Sequence, residues 1–228
     1  MDSLETNLSY EEVQGKKPSI FGVITSPSQQ FERMKEKAPI GVPLIIMMLL
    51  MAVTGALVSF ISLNNPILTN SELMPTDFKI PVGLTVAMGA GGALVGGTIM
   101  FFIVAAFYKV CMIIMGNDTA YKKVLVIVIY ANIISTIGLL VNALIALVLG
   151  GYEATYTSLA PLFTDNQVLH TIATNFDIFK IWYYIVLGLG LHIAAGLSKN
   201  KAITLVLIIF IVSVGLSSFG GFIPKPGL

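Results

Sequence analysis

The chain is short of nearly everything that reactive chemistry or a water-soluble fold draws on. Its 228 residues include one cysteine, two histidines and one tryptophan, and 11% are charged. A lone thiol, Cys111, excludes an internal disulfide, and no neighbouring residues give it a metal cluster or an activating partner. Its plain role is that of a small buried apolar side chain. There is no glycine-flanked serine of the nucleophile-elbow kind, no HExxH, no paired intramembrane aspartates and no phosphate-cradling loop. GALVGG lacks the Lys-Ser/Thr ending of such a loop, and His170 stands alone. A net charge of +1 gives no reason to expect nucleic acid or a strongly anionic partner. These absences point away from an enzyme, and no cofactor or metal is implied.

What the chain does have is apolar length. Hydrophobic residues make up 56% of it, and the mean hydropathy is +0.88. Five stretches dominate: Ile40–Ser62, Val82–Tyr108, Val124–Gly150, Ile181–Leu197 and Ala202–Phe219. A hydrocarbon core ~30 Å thick needs about 20 residues at helical rise, so each can serve as a span, the last two being short. The expected fold is all-α: a polytopic membrane protein with five transmembrane helices plus short interfacial amphipathic helices. Residues 1–17 are polar and acidic, so the first apolar run is expected to remain as an uncleaved span.

Basic residues set the orientation, because positive charge resists translocation. An inside N-terminus gathers Lys16, Lys17, Arg33, Lys35, Lys37, Lys109, Lys122, Lys123, Lys199 and Lys201 on the cytoplasmic side. Only Lys79, Lys180 and Lys225 then lie outside. The expected layout is a disordered cytoplasmic tail (1–19), an interfacial helix (20–39), a membrane domain (40–219) and an external C-terminal tail (220–228). Loops 63–81 and 151–180 face the exterior.

Two amphipathic segments flank the spans. In SIFGVITSPSQQFERMKEKAP, Ser26 is a suitable N-cap, Pro27 suits the first helical position and Gln29 completes a capping box. The helix places Phe31 and Met34 on one face beside Glu32, Arg33, Lys35, Glu36 and Lys37, which suits the inner headgroup layer with lysines near anionic lipid. In the external loop, NQVLHTIATNFDIF sets Val168, Leu169, Ile172, Phe176 and Phe179 at helical spacing, with Asp165 or Thr164 positioned to cap. Trp182, Tyr183 and Tyr184 then read as an outer aromatic belt.

Within the spans, small and polar residues mark packing faces. In the second span Gly92 and Gly96 form a GxxxG pair, and Gly89, Ala93 and Gly97 extend a small-residue face. Close approach across such residues supplies packing energy in lipid, within the chain or in a homodimer. In the third span Asn132, Ser135, Thr136 and Asn142 share one arc, which must turn into the bundle. Hydrogen bonding between helices or a lined solute pathway would each use it. His192 is read as the one ionisable side chain near mid-membrane, sharing a face with Gly188 and Ala195. Lys109 snorkels to the inner interface.

Four segments carry a family resemblance: FGVITSPSQQFERMKEKAP, GAGGALVGG, GNDTAYKKVLVIVIYANI, and NFDIFKIWYYIVLGLGLHIAAGLSKNKAI. Over residues 20–219 the chain resembles the Ypt-interacting-protein (Yip-domain) family of five-span membrane proteins, in its bacterial branch. The Asp-Leu-Tyr-Gly-Pro motif of eukaryotic members is absent, so the resemblance does not extend to GTPase-linked trafficking. It implies a non-enzymatic scaffold in the plasma membrane of a Gram-positive bacterium, working among membrane lipids beside exporter subunits. The exporters meant are ATP-driven ones that protect cells against antimicrobial peptides. A small-solute transporter or channel built on the third span is the competing class, and a membrane-shaping protein is a third.

Overall fold

A computed structural model describes residues 17–65 and 81–221. The expectations for residues 1–16, for most of loop 63–81 and for the end of the C-terminal tail lie outside those residues. The described elements are helices α1 (Gly22–Thr25), α2 (Pro27–Glu36), α3 (Gly41–Ser62), α4 (Val82–Ile114) and α5 (Tyr121–Leu149). A 3-10 turn (Ala160–Leu162) follows, then α6 (Gln167–Ala173), α7 (Ile178–Ile193) and α8 (Lys199–Gly221). No strand occurs among the described residues.

Four helices, α3, α4, α5 and α8, are each long and apolar enough to cross a bilayer. Helix α4 has 33 residues, about 50 Å of rise, and runs six residues past the expected end at Tyr108. Lys109 made that end look polar, yet it lies within the helix and its side chain reaches Asp118 in the turn beyond. Helix α5 is the most buried of the four, with 67% of its apolar window covered against 17–22% for the others.

The fourth span departs from a continuous Ile181–Leu197 run. Helix α7 has 16 residues, about 24 Å, and passes as a span together with α6 across a 41° bend. Phe176 therefore lies in the break, and Phe179 belongs to the next helix rather than to α6. Asp177 starts that helix: its carboxylate accepts from the Phe179 and Lys180 N–H groups at 2.8 and 3.0 Å. The cap of α6 is Asn166, neither Asp165 nor Thr164; its side chain accepts from the Leu169 N–H at 3.0 Å.

Glycine stops three of the long helices. Gly116, Gly150 and Gly196, just beyond α4, α5 and α7, have φ of 79°, 66° and 71°, a left-handed conformation that costs a side-chain-bearing residue more. After α4 the Asn117 N–H returns to the Met112 carbonyl at 2.8 Å and the Gly116 N–H to the Ile113 carbonyl at 2.9 Å, the paired bonds of a Schellman stop.

The chain divides into two compact units. One gathers residues up to Ile46, Met100–Ile133 and Tyr183–Leu207; the other gathers Met47–Ile99, Ile134–Trp182 and residues from Ile208 onward. In the first unit the N-terminal segment is part of the core. Ile20, Val23, Phe31 and Met34 are buried, Phe31 and Met34 completely. The apolar face of α2 is thus turned to protein, correcting the expectation of Phe31 and Met34 in a headgroup layer. The Ser26–Gln29 box does not form, since the Ser26 side chain makes no cap bond. Gln30 performs the tethering, its side-chain oxygen accepting from the Ser19 N–H at 2.8 Å. Deeper in, the Tyr130 hydroxyl donates to the Pro18 carbonyl at 3.1 Å.

In the second unit α3 and α4 meet backbone to backbone. A Cβ on Gly55 would lie 2.5 Å from the Gly89 carbonyl oxygen, and one on Gly89 would lie 2.8 Å from the Gly55 oxygen. Only paired glycines allow that approach, at which Cα–H groups point at carbonyls. Nearby, Ile61, Ala143 and Ala146 form a small core under Leu57, Val58, Ala154 and Tyr156.

Candidate functional site

The glycines of α4 fall on two faces. Gly89, Ala93 and Gly97 face α3, where Gly55, Ser59 and Met51 fill the space. Among the described residues, Gly92 and Gly96, the GxxxG pair, have nothing within 4 Å of where a Cβ would stand, and neither does Gly91. The sequence merges both sets into one packing stripe. The structure uses one inside the chain and leaves the other open beside exposed Met88, Val95 and Ile99.

The polar arc of α5 turns into the protein. Asn132, Ser135, Thr136 and Asn142 are all buried or half-buried, so none is spent on lipid. Within the first unit Asn132 donates to the Val128 carbonyl at 2.9 Å and is hydrogen-bonded to the Tyr183 hydroxyl. Tyr183 is half-buried and packs edge-on against Tyr184, with ring centroids 5.2 Å apart. In the second unit Asn142 donates to the Gly138 carbonyl and the Thr157 hydroxyl at 2.9 and 2.7 Å, and accepts from the Thr157 N–H at 2.8 Å. Thr157 also hydrogen-bonds Asp177. A second knot joins Asn175, almost fully buried, to Ser217 and to the Lys180 ammonium. Asn142 of α5 and Asp177 thereby anchor the loop that carries the 3-10 turn, while Ser217 of α8 and Lys180 of α7 hold the α6–α7 break. Trp182 is half-buried.

His192 does not sit at the middle of a helix. Because Gly196 ends the helix early, His192 lies in the last turn of α7, exposed, with its Nδ1 2.8 Å from the Leu197 carbonyl. Ala195 has already left the helix, and its carbonyl accepts from the Asn117 amide and the Thr119 hydroxyl. Gly188, read as a close-crossing point, has only ordinary contact with Val206. The tight position is Gly190, where a Cβ would meet Ile127 at 2.5 Å and the Phe31 ring at 3.0 Å. The sequence gives no signal for that choice, since both glycines sit in the same Gly-Leu-Gly run.

Charge in the first unit is concentrated at helix ends. Lys35 pairs with Glu32 and Lys109 with Asp118, each at 2.6 Å. The hydrogen bond and charge from Lys109 hold the Asp118 carboxyl below its usual range. Lys123 donates to the Lys35 carbonyl at 3.3 Å and Lys201 to the Met115 carbonyl at 2.6 Å. Lys37 and the half-buried Arg33 complete α2's charged side. Among the described residues no three of His, Cys, Asp and Glu come together as a metal would require.

The comparisons agree with this architecture. The curated "Membrane protein YknW" of Bacillus subtilis (strain 168) is 34% identical over 212 residues, covering 91% of this chain and 92% of the relative. No solved structure matches. The Yip1 domain matches residues 21–220, nearly the whole chain. With five apolar segments, an all-helical fold and that match, the chain is a multi-pass membrane protein belonging to the Yip1 domain family.

Proposed function

We propose that this protein is a non-enzymatic accessory of a larger membrane complex, which it engages through the open glycine face of α4. The carrying observation is the contrast within that helix. One small-residue face is consumed by α3, while Gly91, Gly92 and Gly96 present bare backbone with nothing against it among the described residues. In lipid, where apolar side chains gain nothing by leaving the solvent, such a surface is where another helix approaches most closely. The partner class comes from the family resemblance: an ATP-driven exporter protecting a bacterial cell from antimicrobial peptides. The buried, mutually satisfied polar groups of α5 support a packing role for that face and disfavour a solute path. The lysine distribution supports an inside N-terminus and an outside C-terminus, and the family resemblance supports residence in the plasma membrane.

Affinity purification from native membranes tests this reading. The unaltered chain is expected to bring exporter subunits with it, and a Gly92→Leu/Gly96→Leu chain, equally expressed, is expected to lose them. Recovery of no transporter subunit with the unaltered chain rejects the proposal. Undiminished recovery with the double variant rejects the face.

A further inference from the structure

We propose that the lysine-rich rim of the first unit binds anionic phospholipid headgroups. The described part of this unit carries nine basic side chains against three acidic ones, Glu32, Glu36 and Asp118. The described part of the second unit has one lysine, Lys180, against Glu153, Asp165 and Asp177. The basic groups of the first unit are not scattered. Lys123 ties the start of α5 to the end of α2, Lys201 ties the start of α8 to the end of α4, and Asn117 and Thr119 hold the α4–α5 turn to Ala195. These bonds bring five helix ends, those of α2, α4, α5, α7 and α8, into one rim.

Several of these ammonium groups remain uncommitted. Lys37, Lys122 and Lys199 are exposed and make no ion pair among the described residues. Nor does helix stability explain their placement. Lys122 and Lys199 open helices α5 and α8, whose first turns hold no acidic residue, so they add positive charge to the positive end of each dipole. An external anion relieves that repulsion.

The choice of a lipid anion rests on what adjoins the rim. Val42, Ile114 and Ile203 are exposed apolar side chains within five residues of a lysine, Ile114 at 79%. Lysines set directly beside lipid-facing apolar positions stand at headgroup depth by construction, where a flexible ammonium meets a phosphate. An acidic protein segment would meet the same charges but would have no use for the apolar border. This inference does not depend on the exporter reading.

The test compares thermal unfolding of the purified full chain with added phosphatidylglycerol or phosphatidylcholine, at low and high salt. Phosphatidylglycerol is expected to stabilise the chain more than phosphatidylcholine, with the difference shrinking at high salt. In a Lys37→Gln/Lys122→Gln/Lys199→Gln chain, phosphatidylglycerol affinity is expected to fall about ten- to a hundredfold. Native mass spectrometry of the unaltered chain from a mixed bilayer reads the same preference without any variant. Equal response to the two lipids, or an unchanged affinity in the triple variant, overturns the proposal. Equal stabilisation by inorganic phosphate alone or by an acidic peptide also overturns it, reassigning the rim to a free anion or a protein segment.

Discussion

The ring of Phe31 occupies the space that a side chain at Gly190 would need, lying 3.0 Å from where its Cβ would stand. Two residues far apart in the chain thus form a knob and its hole, and the N-terminal segment is held in the first unit rather than laid on a membrane. Phe31→Ala is expected to cost about 3–5 kcal/mol, as for other fully buried aromatic truncations. Gly190→Val overpacks the same site and is expected to cost about 1–3 kcal/mol. Both are read by thermal unfolding in detergent. Both should also quicken tryptic cleavage after Arg33 and Lys35, whereas unchanged proteolysis would mean the segment is not anchored there.

The two faces of α4 should respond oppositely to bulk. Gly89→Leu drives a side chain into Ser59 and the Gly55 carbonyl and is expected to destabilise the isolated chain by about 1–3 kcal/mol. Gly92→Leu meets nothing and is expected to leave its stability within about 0.5 kcal/mol or raise it, since leucine favours helix. Matched melting curves of the two variants decide the matter.

Asn142 closes the second unit's loop through Thr157. Replacing it with leucine leaves the Thr157 N–H without its acceptor and is expected to cost about 1–3 kcal/mol. Asp177→Ala removes the cap of α7 and is expected to cost about 1 kcal/mol. Hydrogen exchange at residues 155–160 and 178–181 should rise in both variants while the first turns of α8 stay protected.

The Lys109–Asp118 pair gives a pH signature. Because the folded-state value of Asp118 is depressed, its contribution is present above the ordinary aspartate value of 3.8 and is lost as pH falls through the lower, folded-state one. The carboxyl is fully solvated, so the effect on stability is small. Its titration, followed by carboxyl carbon NMR, should move upward in Lys109→Met; an unmoved midpoint would show the pair absent in solution.

What the sequence makes legible is the local physics. The apolar runs at 40–62, 82–108 and 124–150 needed only composition, and a helix covers nearly all of each. The arc of Asn132, Ser135, Thr136 and Asn142 needed only the helical period and the cost of polarity in lipid, and it faces protein. Boundaries failed where a local sign misled. Lys109 resembled an end yet lies inside α4, and Ser26 resembled a cap while Gln30 held the turn. His192 looked central until Gly196 stopped the helix beside it. Packing across the chain was illegible. Nothing near Phe31 announces Gly190, and nothing within GAGGALVGG says which glycines α3 would claim, because that depends on Gly55 opposite.

The most direct test of the accessory role is photo-crosslinking in living cells from a probe placed at position 92, with position 89 as the occupied-face control. The account predicts an adduct with a membrane subunit of an exporter from position 92 and only internal products from position 89. An adduct solely with lipid or with a second copy of this chain from position 92 would contradict it.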